Sequence, residues 1–85
     1  MPPVEVDTTP FCPYCVSAKE LLRSKGIPYG EINVAGAPDV RAARIQRANG
    51  RTTVPQIFIG ATHVGGCDDL YELQDAGKLD ALLHS

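Results

Sequence analysis

The chain reads as a small α/β domain: a mixed sheet of four strands flanked by helices, in the order βαβ, then α, then ββα. Three observations predict this. A strand–helix–strand pattern fills the N-terminal part, and such a unit pairs its two strands in parallel. Gly60-Ala61 separates two short apolar runs, the signature of a tight antiparallel hairpin. Helical patterns stand between these units and after them, so the sheet has helices to pack against.

The elements follow in order. Val4-Glu5-Val6-Asp7 alternates apolar and polar residues, as a half-buried strand does. From Pro13 to about Lys25 the period becomes helical. Ala18, Leu21 and Leu22 share one face, Pro13 suits the first helical position, and Gly26 closes the helix at C′. Tyr29 to Val34 forms the second strand. A second helix is expected from Pro38 to about Asn49, ending at Gly50, although its apolar pattern is weak. Gln56-Ile57-Phe58-Ile59 is a strand, and Thr62-His63-Val64 its hairpin partner. Gly65-Gly66 breaks the chain before a helix from about Cys67 to Ala76, with Asp68 and Asp69 in its first turn and Gly77 behind it. Leu79, Leu82 and Leu83 make one last helical stretch.

Composition limits the function classes. Eighty-five residues are expected to form a single domain, 1–85, with no repeat, linker or low-complexity block. A chain of this size buries only about 60% of its unfolded surface, and an apolar content of 44% is enough for such a core. The net charge of −2 predicts no general attraction to nucleic acid or to an anionic membrane. No apolar run approaches the ~20 residues of a membrane span, and Met1-Pro2-Pro3 has neither a basic n-region nor an apolar h-region. The expectation is a cytoplasmic protein without membrane or nucleic-acid partners.

Cys12-Pro13-Tyr14-Cys15 is the most informative segment. It places two thiols, C-x-x-C, at the start of a helix. In a reducing compartment that pattern points to catalysis or metal binding rather than to a structural disulfide. Backbone N–H groups at a helix start favour thiolate over thiol, and the thiolate is the nucleophile of disulfide exchange. Cys12 is expected to face solvent, with Cys15 one turn inward and within reach of a disulfide formed at Cys12.

Taken with Arg51-Thr52-Thr53-Val54-Pro55-Gln56-Ile57-Phe58-Ile59 and Gly65-Gly66-Cys67-Asp68-Asp69-Leu70 at their spacing, the motif resembles the dithiol glutaredoxins of the small bacterial type over nearly the whole chain. The C-x-x-C alone is a weak signal, whereas C-P-Y-C followed by T-V-P and G-G-C-D-D is a strong one. The resemblance implies the thioredoxin fold, with Pro55 in a cis peptide facing the thiols. It also implies glutathione-dependent reduction of protein disulfides and protein–glutathione mixed disulfides, with Cys12 as nucleophile and Cys15 as resolving thiol. Glutathione is then a co-substrate, with no tightly bound cofactor and no metal. The partners implied are glutathione and disulfide-containing or glutathionylated proteins, and a monomer is expected.

The resemblance further implies a glutathione site made of Tyr14, Arg41, Thr53, Val54, Pro55, Gly66, Cys67 and Asp68. A cis-proline turn would leave the Val54 backbone free to pair with a short peptide, a strand addition on a very small scale. From the residues alone, Pro55 could equally just open the strand behind it. Asp68 and nearby backbone N–H groups would take the γ-glutamyl end of glutathione. The glycyl carboxylate wants a cation, for which Arg41 is favoured. Arg44 and Arg47 are expected to form a solvated helix face, and Arg51 could serve either role. Tyr14 could touch substrate or fill space. Cys67 could be a redox thiol or a metal ligand, but is placed as a residue lining the groove. His63 and His84 are expected to be structural or exposed.

Two departures from the family pattern stand out. Asp7-Thr8-Thr9 replaces the usual aromatic–hydroxyl–lysine, removing a cation near the thiolate. The Val4/Val6 alternation points Asp7 outward, as a solvated strand residue, and Lys19 could restore some positive potential. Two non-catalytic alternatives remain. One is a [2Fe-2S] cluster carried through Cys12 and glutathione, which Pro13 and Cys15 disfavour. The other is a zinc site of Cys12, Cys15, His63 and Cys67, for which a second paired motif is missing.

Overall fold

The sheet is built around β1 (Val4–Thr8), which pairs in parallel with β2 (Gly30–Asn33) and antiparallel with β3 (Gln56–Ile59). β4 (Thr62–Gly65) extends it beyond β3, giving the order β2-β1-β3-β4. The computed structural model describes residues 2–84, so Met1, part of the leader reading, and Ser85 lie outside the described residues. Gly60 takes φ 59° at the hairpin turn, a conformation glycine adopts without a Cβ penalty. No helix among the described residues is long and apolar enough to cross a membrane.

The two faces of the sheet differ in chemistry because strand side chains alternate. Val4 and Val6 of β1 and Ile57 and Ile59 of β3 point to one face. There they pack with Ala18 and Leu22 of α1 (Pro13–Ser24), Leu70 of α3 (Cys67–Asp75), and Leu79 and Leu83 of α4 (Leu79–Leu83). All of these are buried, and each fully buried Leu or Ile contributes roughly 1.5–3 kcal/mol. This face anchors α1 and therefore fixes where its N-terminus, with Cys12 and Cys15, stands above the sheet. α1 closes at Gly26, whose φ is 69°, as the C′ glycine requires.

The opposite face carries Glu5, Asp7, Gln56 and Phe58, and α2 (Pro38–Arg47) lies over it. Here the structure corrects three expectations. Asp7 is not solvated: it is 2% exposed, with Arg44 Nε donating to its Oδ1 at 2.8 Å. Arg44 also donates to Glu5 Oε1 at 2.9 Å, and Arg47 to the same oxygen at 2.6 Å and to the Gly60 carbonyl at 3.1 Å. Both guanidinium groups lie against the Phe58 ring, 4.9 Å and 4.3 Å from its centroid. These arginines are the layer that joins α2 to the sheet, not a solvated face. Alternation correctly put Asp7 opposite Val6, but that second face is covered by a helix. α2 also ends earlier than expected, at Arg47, because Asn49 (φ 58°) and Gly50 (φ 85°) both turn left-handed.

Candidate active site

The site forms where the β1–α1 turn meets the loop before β3. Cys12 is the N-cap of α1, and its Sγ accepts a hydrogen bond from the Cys15 N–H at 3.2 Å. Pro13 follows at the first helical position, where its missing N–H costs nothing. On its other side, the Cys12 thiol donates to the Val54 carbonyl at 3.9 Å. Val54 precedes Pro55 across a cis peptide bond, and its N–H takes no partner among the described residues. Phe11, immediately before the nucleophile, has φ 60°, an outlier for a bulky side chain.

The two sulfurs sit in contrasting environments. Cys12 is partly exposed, while Cys15 is 1% exposed. Burial, and then the adjacent Cys12 sulfur, push the Cys15 thiol up to about 12, against a smaller opposing pull from the Thr9 backbone. Cys15 is therefore held as a thiol. Cys67 is also buried, and its thiol is shifted upward by desolvation, then by the Asp68 carboxylate.

Two grooves flank Cys12. One, of about 240 Å³, is lined by Tyr14, Thr53, Val54, Pro55, Gly66, Cys67 and Asp68, together with Arg51 and Asp69. Arg41 is not among these residues. It lines an adjoining pocket beside Thr52 and Val54, and its Nη2 donates to the Thr52 carbonyl at 3.3 Å. The cation of the groove is Arg51, which donates to Asp69 Oδ2 at 3.0 Å. Asp69 Oδ2 also accepts from the Gly66 N–H at 2.9 Å, and these two bonds, the backbone one first, hold its carboxyl below the ordinary range. Gly65 makes this arrangement possible: its φ is 116°, and a Cβ there would overlap the Asp69 carboxylate and the Arg51 guanidinium. Sequence reasoning left Arg51 undecided because a residue in a loop after a helix-ending glycine carries no periodicity to say where it points.

The second groove, of about 370 Å³, is lined by Thr8, Thr9, Phe11, Val16, Lys19 and Glu31 beside Cys12 and Cys15. Lys19 does reach this groove, but its ammonium lies 3.2 Å from Glu31, whose other strong partner is the Thr8 hydroxyl at 2.9 Å. Its charge is thereby largely neutralised. Asp7 is neutralised in turn by Arg44, although burial still raises its carboxyl above the ordinary value.

Among the described residues no group of three or more His, Cys, Asp and Glu side chains is arranged to hold a metal ion. His63 stands away from the thiols, at 5.1 Å from the Phe58 ring on the α2 side of the sheet, with Nε2 2.6 Å from Gln56 Oε1.

Comparison with known proteins agrees with this geometry. The glutaredoxin family model matches residues 4–64. A glutaredoxin from Pseudomonas aeruginosa is 60% identical over 83 residues, 98% of each chain. The solution structure of a glutaredoxin from Brucella melitensis superposes with a TM-score of 0.85 at 55% identity, covering 98% of this chain and 89% of that one. A buckwheat glutaredoxin–glutathione complex gives a TM-score of 0.87 at 36% identity, covering 98% of this chain and 77% of that one. Two thiols at a helix start facing a cis-proline loop, on this four-stranded sheet, define a thiol–disulfide oxidoreductase with the thioredoxin fold. The chain belongs to the glutaredoxin family, in its small bacterial form, and is a glutathione-dependent enzyme.

Proposed function

We propose that Cys12 is the nucleophile and Cys15 the resolving thiol of this oxidoreductase, with the groove bounded by Tyr14, Val54 and Asp68 holding glutathione. The observation that carries this reading is the pair of environments. The Cys12 sulfur is partly exposed and accepts the Cys15 N–H, while the Cys15 thiol is buried behind it. A hydrogen bond to sulfur strengthens when the acceptor is anionic, so the Cys15 N–H stabilises a Cys12 thiolate.

Deprotonation of Cys12 has a second consequence. The thiol's contact to the Val54 carbonyl is lost, leaving that C=O, with the unpartnered Val54 N–H, free to pair antiparallel with the glutathione backbone. Asp68 and the N–H groups opening α3 then take the γ-glutamyl end. Arg51 takes the glycyl carboxylate in place of the Arg41 expected from sequence, because Arg51 lines the same groove. Arg41 supports the Thr52 backbone behind it.

The reaction proceeds in two exchanges. The Cys12 thiolate attacks the glutathione sulfur of a mixed disulfide, forming the Cys12–glutathione disulfide, and the other thiolate leaves and takes up a proton. A second glutathione thiolate attacks the bound glutathione sulfur, releasing glutathione disulfide and regenerating Cys12. With a protein disulfide, Cys12 attacks first and Cys15 displaces the protein, leaving a Cys12–Cys15 bond for two glutathiones to reduce. Both influences of Cys12 on Cys15 raise the latter's pKa, and both are removed once Cys12 is in a mixed disulfide. Cys15 thus becomes easier to ionise only after Cys12 has reacted. Glutaredoxins as a class lie at roughly −200 to −230 mV, close to the glutathione couple, so the flow can run in either direction.

Phe11, Tyr14 and Val16 stand exposed around Cys12 and supply an apolar rim for disulfide-containing or glutathionylated proteins. We place the protein in the cytoplasm, where glutathione is kept reduced, acting as a monomer on residues 1–85 as one domain. Mass spectrometry of protein treated with glutathione disulfide tests the assignment. Cys15→Ser is expected to trap one glutathione on Cys12, and Cys12→Ser to trap none at Cys15. Glutathione found on Cys15 or Cys67 in preference to Cys12 would overturn the roles.

A further inference from the structure

The face of the sheet covered by α2 carries a chain of polar contacts that ends at the loop lining the glutathione groove. Asn49, the left-handed residue that ends α2, has its Nδ2 3.2 Å from His63 Nδ1. His63 Nε2 is 2.6 Å from Gln56 Oε1. Gln56 Nε2 donates to the Thr53 carbonyl at 2.9 Å and to Thr53 Oγ1 at 3.3 Å. Thr53 and Val54 in turn line the groove, and Val54 is the residue that contacts Cys12.

With the imidazole neutral, the form that burial favours at His63, one assignment of hydrogens satisfies every member. The Gln56 amide must present N–H to Thr53, because its oxygen there would face a carbonyl oxygen. Its Oε1 then accepts from His63, so the imidazole is protonated at Nε2. Nδ1 is left as an acceptor, which the Asn49 amide N–H satisfies. The Phe58 ring packed at 5.1 Å limits rotation of the imidazole, and Gln56 itself is 3% exposed. A buried amide held at one end by a ring of limited rotation has a preferred orientation to offer at its other end.

We infer that His63, in its Nε2–H form, is a positioning residue: through Gln56 it sets the place of the Thr53–Val54 backbone against which glutathione pairs. This rests on the proposed role of that backbone as the glutathione-pairing strand. His63 touches neither thiol nor groove, so its loss changes how well substrate is held more than how fast sulfur exchanges. Losing one neutral hydrogen bond in the relay corresponds to a roughly two- to tenfold effect.

The test uses the full chain and the mixed disulfide of glutathione with cysteine as substrate. His63→Ala is expected to raise KM roughly two- to tenfold with kcat within about twofold of the parent. His63→Gln, whose amide N–H can donate to Gln56 Oε1, is expected to restore KM to within about twofold. Nitrogen NMR of the unmodified protein near neutral pH is expected to show His63 protonated at Nε2 and not at Nδ1. An unchanged KM in His63→Ala, a His63→Gln variant as impaired as His63→Ala, or an Nδ1–H imidazole would each overturn the relay. Should His63→Ala fail to fold, the tautomer and His63→Gln still decide the matter. Absence of turnover in the parent protein itself would instead contradict the proposed reaction, and the tautomer would still report on the relay.

Discussion

Cys12 and Cys15 share one motif and one helical turn, yet burial sets them apart. The partly exposed sulfur can meet a substrate, and the buried one has its thiol pushed up to about 12, which under the proposed roles withholds it until the first has reacted. The same logic separates the two arginines near the groove. Arg51 lines it and pairs with Asp69, whereas Arg41 lies behind it on the Thr52 carbonyl. Arg51→Gln is therefore expected to raise KM for a glutathione mixed disulfide about three- to tenfold, a charge-assisted contact discounted for solvent exposure. Arg41→Gln should change KM by less than about twofold, and steady-state kinetics on the two variants would separate them. The placement of the thiols beside Val54-Pro55 and Gly66-Cys67-Asp68 was legible because each belongs to a local motif at a fixed spacing. Where Arg51 and Arg41 stand relative to the groove was not, since that depends on where a loop folds back.

At the scale of elements, α2 depends on charge where α1 and α3 depend on apolar packing. None of its own residues is buried, and Arg44 and Arg47 bind it to Glu5, Asp7 and Phe58. Arg44→Met is expected to destabilise the protein by roughly 3–5 kcal/mol near neutral pH, because Asp7 would be left buried without its partner. The sign with pH follows from Asp7. Burial raises its pKa in the folded state, so the folded chain takes up this proton more readily than the unfolded one. Removing Arg44 takes away the influence that opposes that rise. The penalty should be greatest near neutral pH and shrink as pH falls through the raised Asp7 range, which denaturant unfolding at several pH values would show. A penalty independent of pH would mean that Arg44 matters only for packing. This layer also marks the limit of strand reading. Period-two alternation in Val4-Glu5-Val6-Asp7 says which residues share a face, but not whether solvent or a helix covers it. The strands and hairpin, in contrast, were legible to within a residue or two, because Gly60 and Gly65-Gly66 punctuate them sharply.

For the whole molecule, the two sides of the sheet converge on one edge of the site. The apolar face seats α1 and so places Cys12, while the polar face, through Gln56, holds the Thr53–Val54 loop opposite it. The usual lysine before the motif is replaced by Thr9, Lys19 is neutralised by Glu31, and Asp7 is neutralised by Arg44. The local charge at Cys12 is accordingly set by the helix start and the Cys15 N–H more than by any side-chain cation. This arrangement is expected to suffice for glutathione-dependent catalysis. Its most direct test is turnover of a small glutathione mixed disulfide with glutathione, glutathione reductase and NADPH, comparing the parent chain with Cys12→Ser and Cys15→Ser. Turnover is expected from the parent, with persistence in Cys15→Ser and loss in Cys12→Ser. Turnover that survives in Cys12→Ser, or a folded and reduced parent with none, would contradict it.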